Sequence, residues 1–284
     1  MNTKSKLATL LLSTTLAACG GGSSIDPVEE TPVDRPAQPY VFKYGEFSRV
    51  NFNSLARTTN CPTENFEVWL VAGQSNAAAY AQKPMNDLTG GKVVQFFDGR
   101  CHNVASPLLG SSAWPIEATL NNYNPFISVA KQYSIETGKT VIIKSFAVGG
   151  QPIRKWFDGE YRVPFFNEVH QTLAMVGINR VFWQQGETDN FEGTTTASYI
   201  AMFESIVVTL RQFGFNGSIH VARSSICAGS PINNNIGIAQ DELRTRYPGP
   251  NTDVIANYIN RHDECHFSAV GVEAFTNLWM DAIR

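Results

Sequence analysis

Short apolar runs alternate with stretches of helical spacing from residue 66 to the end of the chain, and few folds accommodate that order. The runs predict strands at 66–72, 92–97, 140–146, 180–183, 218–223 and 252–256. The helical spacing predicts helices at 125–137, 164–176, 196–213, 236–247 and 268–283. Because a helix after a strand returns the chain to a parallel neighbour, we expect a three-layer α/β/α domain with a mainly parallel central sheet. The active site of such a domain lies at the carboxyl ends of its strands.

Residues 1–18 are predicted to be an export signal. Two lysines precede the apolar run 7–16, which is shorter than the roughly 20 residues that a membrane-spanning helix needs. The run ends in small residues directly before Cys19, which resembles the signal of a bacterial lipoprotein. We therefore predict cleavage after Ala18 and lipidation of Cys19. An ordinary signal cleaved at the same bond is the alternative.

Residues 19–39 are predicted to be a lipidated cysteine with a flexible tether, and residues 40–284 to form one domain. The tether is rich in glycine, serine, proline and acidic residues, and such a composition cannot bury a core. The residue after Cys19 is Gly20 and not aspartate, which by resemblance to bacterial lipoproteins favours the outer membrane. The sequence thus predicts an exported lipoprotein that is held to a membrane by its lipid.

The charge of the chain gives no sign of a nucleic-acid partner. The formal net charge is −3, and removal of Lys4 and Lys6 with the signal leaves 20 basic against 25 acidic residues, or −5. Nucleic-acid-binding domains carry a basic stripe or patch, and none is visible here. We therefore expect no nucleic acid among the partners.

Four cysteines remain when Cys19 is assigned to lipid: Cys61, Cys101, Cys227 and Cys265. In an oxidising compartment an even number allows two disulfides in three pairings. We favour Cys61–Cys101 with Cys227–Cys265, because each pair would join neighbouring loops at strand ends. Four buried free thiols are the alternative. The sequence contains no Cys-x-x-Cys, so we expect no zinc site.

A serine with a possible catalytic role follows the first predicted strand, in the motif Gly73-Gln74-Ser75-Asn76. A serine at this place is exposed at the sheet edge, and its own N–H lies at a helix N-terminus, where it can donate to a developing oxyanion. The alternative interpretation is an N-cap serine. Position 77 is alanine, so the Gly-x-Ser-x-Gly motif of α/β-hydrolases is absent.

Two further polar motifs end later strands. Gly149 and Gly150 can let the backbone approach a ligand and offer an N–H to an oxyanion, with a tight turn as the alternative. The next strand ends in two amides, a glycine and two acids. There the Gln185 amide can donate to an oxyanion, whereas Glu187 is an orienting acid or holds the loop. Asp189 is expected to structure the loop or line the pocket rim.

His266 lies directly before the last predicted helix, a usual place for the base of a hydrolase. Asp263 can reach its Nδ1 through a tight turn, which would fix the tautomer and stabilise the imidazolium. His262 and His266 are also four residues apart, as in some metal sites. However, an aspartate follows His262, so His-Glu-x-x-His is absent, and the neighbouring Cys265 is expected to be oxidised. We expect no metal and no other cofactor.

Together, these four motifs resemble those of the SGNH hydrolases over most of the chain, from about Phe66 to Arg284. Gly-Gln-Ser-Asn, Gly-Gly before Trp156, Trp-x-Gln-Gly-Glu-x-Asp and Asp-x-x-His are similar to the sialate O-acetylesterase and carbohydrate esterase family 6 group. The resemblance implies the flavodoxin-like SGNH hydrolase fold. It also implies a serine esterase that removes O-acetyl groups from carbohydrates.

The resemblance assigns roles by position: nucleophile and oxyanion donor Ser75, oxyanion donors Gly150 and Gln185, base His266 and orienting acid Asp263. Glu187 is the rival acid, because members of the group differ in which acid serves. The sequence departs from the family at Gln151 and Pro152, where a small polar pair usually follows the glycines. We expect this departure to reshape the pocket rim and to leave the chemistry intact.

Candidates for substrate contact lie beside these motifs: Gln74, Asn76, Gly149, Arg154, Trp156 and Trp114. Packing is the alternative interpretation for the arginine and both tryptophans. The expected substrate is an acetylated carbohydrate, which is cleaved through an acetyl-serine intermediate. The alternatives are a lipid esterase or thioesterase of the wider superfamily and, from another class, a surface-anchored glycan-binding protein without activity.

Overall fold

The computed structural model describes residues 49–83, 91–113, 123–227 and 234–284. Its strands are β1 (Thr58–Thr59), β2 (Phe66–Gly73), β3 (Val93–Phe97), β4 (Arg100–Asn103), β5 (Thr140–Ala147), β6 (Arg180–Gln184) and β7 (Ser218–Val221). They form one seven-stranded sheet in the order β1-β4-β3-β5-β2-β6-β7. The five strands from β3 to β7 in that order are parallel, and β4 and β1 add an antiparallel edge. The predicted mainly parallel sheet is confirmed.

Helices flank both faces of this sheet. They are α1 (Phe126–Thr137), α2 (Arg154–Phe157), α3 (Arg162–Met175), α4 (Glu187–Glu192), α5 (Thr196–Gln212), α6 (Asn235–Arg244) and α7 (Ala269–Ile283). One core cluster joins one face of β2 to α3, α5 and α6, and a second joins the other face to α1 and α7. Because β2 is covered on both sides, its sequence is almost continuously apolar, as is typical of a central parallel strand.

Five of the six predicted strands and all five predicted helices are observed, and their predicted ends lie within three residues of the observed ends. The prediction of a strand at 252–256 is wrong, because this segment is a 3-10 turn, Thr252–Ile255, in which the Asn251 side chain accepts from the Asp253 N–H at 3.0 Å. The expected helix after Ser75 is limited to a single 3-10 turn. It ends there because the Ala79 N–H donates to the Ser112 carbonyl of another segment, at 3.1 Å.

Two disulfides tie loops to the sheet, in the pairing that the sequence analysis favours. Cys61–Cys101 joins the segment before β2 to strand β4. Cys227–Cys265 joins the segment after β7 to the loop before α7. The second disulfide therefore lies at the carboxyl edge of the sheet, beside the polar motifs.

Several predictions concern residues outside the described ranges. These are the export signal, the lipidation of Cys19, the tether, the domain start at residue 40 and the sugar contact of Trp114. They stay predictions. Among the helices that the structure describes, none combines the length and the apolar character needed to cross a bilayer.

Candidate active site

Ser75 lies in the first turn after β2, at the carboxyl edge of the sheet. Gly73 ends the strand with φ +139°, and a Cβ at this position would lie 2.0 Å from the Gln184 carbonyl oxygen. Only glycine therefore fits where the chain leaves the strand. The residue Ser75 is 4% exposed. Within the described residues, neither its hydroxyl nor its backbone N–H has a hydrogen-bond partner, so both are available to a ligand.

Asp263 and His266 form a hydrogen-bonded pair in the loop before α7. The Asp263 Oδ2 and the His266 Nδ1 are 2.6 Å apart, and the Asp263 Oδ1 accepts from the His266 backbone N–H at 2.6 Å. Burial alone would raise the pKa of Asp263, but the hydrogen bond and the charge of His266 outweigh it and lower this pKa to about 2. The carboxylate is therefore ionised at neutral pH, as a group that orients an imidazolium must be.

The side chain of Asn76 links the Ser75 turn to the His266 loop. Its Nδ2 donates to the carbonyl oxygen of Cys265 at 3.2 Å, and Cys265 directly precedes His266. The two segments are thereby held together at one edge of the sheet. In the part of the chain that the structure describes, the Ser75 hydroxyl makes no hydrogen bond to the His266 ring. Such hydrogen bonds are often long in unliganded sites and shorten when substrate binds.

Tyr80 connects the imidazole to the glycine turn after β5. Its ring stacks on the ring of His266 with centroids 5.1 Å apart and planes at 27°. A Cβ added to Gly149 would lie 2.6 Å from the Tyr80 hydroxyl oxygen. Gly149 is therefore glycine because an aromatic side chain lies directly on its backbone.

Glu187 is buried and forms hydrogen bonds with a different set of residues. Its Oε1 accepts from the Asn76 Nδ2 at 2.7 Å and from the Ser224 hydroxyl at 2.8 Å. Burial raises the pKa of Glu187 more than these hydrogen bonds lower it. The geometry thus places Asp263 on His266 and places Glu187 behind Asn76, where it fixes the orientation of that amide.

The two glycines after β5 differ in what their N–H groups contact. The Gly149 N–H donates to the Ser112 hydroxyl at 2.8 Å and is therefore occupied. Gly150 has φ +66° and is partly exposed. Among the described residues its N–H has no acceptor. Of the pair, Gly150 is the one that can donate to a bound ligand.

The Gln185 amide is closely surrounded by acceptors. Its Nε2 lies 2.5 Å from the Asp189 Oδ2 and 3.2 Å from both the Gln74 Oε1 and the Gln151 carbonyl oxygen. Its Oε1 accepts from the Tyr199 hydroxyl at 2.9 Å, which fixes the orientation of the amide. One N–H is therefore held firmly by Asp189, whereas the other is shared between two long contacts.

The atoms of His262, Asp263 and His266 that could ligate a metal all lie within 4.8 Å of one another. Two of these groups are already bound to each other in the Asp263–His266 hydrogen bond. The Nε2 of His262 lies 3.1 Å from the Tyr80 carbonyl oxygen, which can only accept. Each of the three residues therefore already makes a hydrogen bond within the protein.

The sequence matches the model of one protein family, which is described as carbohydrate esterase, sialic acid-specific acetylesterase, over residues 65–283. The chain belongs to this family. Membership identifies the protein as a carboxylic ester hydrolase of the carbohydrate esterase type. No curated protein matches the sequence at a significant level.

The fold of this carbohydrate esterase is similar to solved structures of low sequence identity. A protein from Arabidopsis thaliana is 15% identical, with a TM-score of 0.60 over 78% of this chain and 98% of the other. A mutant of an acetyl-xylooligosaccharide esterase from Geobacillus is 11% identical, with a TM-score of 0.50 over 76% and 94% of the two chains. At these identities the likeness shows that the chains share a fold.

One candidate sugar contact of the esterase is part of its core. Trp156 is 0% exposed and packs edge-on against Trp183 and Tyr161, with ring centroids 5.6 Å and 5.2 Å away. Its interpretation as a substrate contact is therefore wrong. Trp156 lies on α2, the short helix that follows the glycine turn, and its side chain packs into the core.

Gln74 and Asn76 are also buried in the esterase, and their side-chain amides form hydrogen bonds with other residues of the protein. The Gln74 Oε1 accepts from the backbone N–H groups of Gly186 and Thr188 at 3.3 Å and 3.2 Å. These contacts show that both residues support the site, and their interpretation as substrate contacts, together with that of Gly149, stays a prediction. Arg154 is the exposed member of the set and lies 3.4 Å from Glu192.

Three residues that build this site, Tyr80, Ser112 and Ser224, belong to none of the sequence motifs. Each lies in a segment without a motif, and each reaches the site through a contact between distant parts of the chain. Hydrophobic spacing does not reveal such contacts. The polar residues at the strand ends did indicate where the site lies.

Proposed function

We propose that this esterase removes O-acetyl groups from carbohydrates through an acetyl-serine intermediate. Ser75 is the nucleophile, His266 the general base and Asp263 the orienting acid. The observation that carries this proposal is the hydrogen bond of 2.6 Å between an ionised Asp263 and His266, beside an available serine hydroxyl. It fixes the proton on Nδ1 and leaves Nε2 as the basic nitrogen.

In the first half-reaction the Ser75 oxygen attacks the acetyl carbonyl carbon while His266 Nε2 takes the hydroxyl proton. The carbonyl oxygen becomes an oxyanion, which accepts hydrogen bonds from the N–H groups of Ser75 and Gly150. The imidazolium then donates its proton to the sugar oxygen as the bond between this oxygen and the acetyl carbon breaks. In the second half-reaction, water loses a proton to His266 and attacks the acetyl-serine, which releases acetate and restores the hydroxyl.

The third oxyanion donor in this proposal is Gln185. Asp189 holds one of its N–H bonds, and the other is shared between contacts of 3.2 Å. Such weak contacts are readily exchanged for a charged oxyanion, which is a stronger acceptor. Because removal of one oxyanion donor costs about 10²–10³ in kcat, Gln185→Ala is expected to lose that much if the amide serves.

Acetate release from a panel of acetylated glycans tests the proposed function. The panel contains O-acetylated sialic acid, acetyl-xylan and a range of nitrophenyl esters, with Ser75→Ala as the control. We expect release from at least one glycan, turnover that fails beyond propionate or butyrate, and a loss on the order of 10⁶ in the control. Preference for long acyl chains or thioesters would instead favour a lipid esterase or thioesterase.

We also propose that the protein is an exported outer-membrane lipoprotein anchored at Cys19. The signal-like residues 1–18 and two disulfides support export, because disulfides persist in oxidising compartments. Metabolic labelling with a palmitate analogue tests the anchor. The full chain should take up label in the membrane fraction, and Cys19→Ala should not. A labelled Cys19→Ala protein would contradict the anchor.

A further inference from the structure

The loop between Asp263 and His266 contains a backbone conformation that its sequence does not favour. Glu264 has φ +64°, in the left-handed region where a residue with a Cβ is strained. Its side chain is exposed and makes no hydrogen bond to any other described residue. Strained residues of this kind persist only where the surrounding structure imposes them. The conformation of Glu264 must therefore be set by its neighbours.

Cys265, the next residue, is held by three hydrogen bonds and one disulfide. Its N–H donates to the Asp263 Oδ1 at 3.1 Å, and its carbonyl oxygen accepts from the Asn76 Nδ2 at 3.2 Å. The same oxygen accepts from the guanidinium of Arg261, which is buried. The fourth connection is covalent, to Cys227. Of these, the disulfide alone ties the loop to the end of β7.

The partner segment of Cys227 is itself well anchored. The N–H and hydroxyl of Ser225 donate to the Asp253 carboxylate at 2.8 Å and 2.7 Å. The Ser225 carbonyl oxygen accepts from the Asn190 Nδ2 at 2.9 Å. The disulfide thus connects a strained turn to a segment that is held by hydrogen bonds of its own.

We propose that the Cys227–Cys265 disulfide is a positioning device for the esterase reaction, which rests on the proposed function. It holds Glu264 in the left-handed conformation that brings the Asp263 carboxylate within hydrogen-bond distance of the His266 Nδ1. Without the disulfide, Glu264 relaxes toward negative φ and the carboxylate leaves Nδ1. Full activity therefore requires this disulfide to be formed. Cys61–Cys101, which is attached to strand β4, has no such role and provides a matched control.

The test compares Cys227→Ala/Cys265→Ala with Cys61→Ala/Cys101→Ala, in purified protein acting on nitrophenyl acetate. We expect kcat to fall about 10- to 100-fold in the first variant with KM little changed, since small misplacements of catalytic groups cost that much. The second should stay within about threefold of the wild type. Circular dichroism at the assay temperature establishes that both are folded.

Glu264→Gly distinguishes positioning from general stabilisation. Glycine adopts positive φ without strain, so this change should restore a large part of the lost kcat in the variant without Cys227–Cys265. In the protein with both disulfides it should change kcat less than about twofold. Rescue of kcat without a matching rise in melting temperature supports the proposal.

If the variant without Cys227–Cys265 does not fold, the test uses Glu264→Val in the protein that keeps both disulfides. A β-branched residue strains the left-handed turn further, so kcat should fall while the melting temperature changes little. Equal activity of the two double-alanine variants, or failure of glycine to rescue a folded one, would overturn the proposal. Absence of activity in the wild-type protein would instead contradict the proposed function.

Discussion

Three carboxyl groups lie near the site, and the two that are buried, Asp189 and Glu187, have their pKa shifted in the opposite direction from Asp263. The pKa of Asp263 is lowered to about 2, whereas burial raises that of Asp189 to about 6 and raises that of Glu187 as well. A group that stabilises an imidazolium has to be ionised while the reaction runs. Of the three, Asp263 is the group that both contacts the imidazole and has a lowered pKa.

Comparison of Asp263→Asn with Glu187→Gln tests this assignment. The first change removes the charge and favours the wrong tautomer, so kcat should fall on the order of 10⁴-fold. The second keeps an oxygen for Asn76 and Ser224, so a much smaller loss is expected. Steady-state kinetics on nitrophenyl acetate measures both. A large loss in Glu187→Gln alone, in a folded protein, would transfer the role to Glu187.

Asp189 gives a prediction about stability and pH. The unfolded carboxyl titrates near pH 3.9 and the folded one near 6, so between these values the folded protein keeps a proton that the unfolded chain has lost. The free energy of unfolding therefore falls as pH rises through this window, by about 3 kcal/mol for this group. Asp189→Asn lacks the effect.

Urea unfolding of the wild type and of Asp189→Asn at several pH values measures the contribution of Asp189 to the pH dependence of the free energy of unfolding. The stability of the variant relative to the wild type should increase from pH 4 to pH 7. If the difference between the two proteins is independent of pH, burial of Asp189 does not raise its pKa.

At the scale of elements, the contact between β2 and β6 determines where the Ser75 turn can begin. Gly73→Ala places a Cβ 2.0 Å from the Gln184 carbonyl oxygen at a φ of +139°, so the strands must separate. We expect a loss of about 3 kcal/mol or more in the free energy of unfolding. Gly177→Ala is the control, since φ is +75° there but nothing lies within 4 Å of the added atom.

The control should cost about 1 kcal/mol, the ordinary strain of a left-handed residue with a side chain. Denaturant unfolding of both variants measures the difference. Equal costs would mean that the close approach of β2 to β6 is unimportant for stability.

The long elements could be predicted from sequence, because apolar spacing determines both a buried strand and an amphipathic helix. β1 and β4 were missed because both are short and largely polar: β4 is held by its pairing with β3, and β1 by its pairing with β4. α4 was missed because its N-cap residue is Gly186, which has no side chain to cap the helix. The segment 252–256 is apolar enough for a strand, but its local hydrogen bonds favour a turn.

At the scale of the whole molecule, the sheet brings distant residues to one edge. Ser75, Gly150, Gln185 and His266 could be predicted as neighbours because each follows a strand or precedes the last helix. Their supports could not, since Tyr80, Ser112 and Ser224 meet them only through tertiary contacts. The sequence therefore indicates the reactive groups better than the network that orients them.

Reaction with a fluorophosphonate, followed by peptide mass spectrometry, tests most directly whether Ser75 is an activated nucleophile. Because such probes react with a serine whose proton a neighbouring base can take, the esterase should carry one adduct, on the peptide that contains Ser75. Ser75→Ala and His266→Ala should remain unlabelled under the same conditions. A folded, acetate-releasing protein with no adduct, or with its adduct on another serine, would contradict the account.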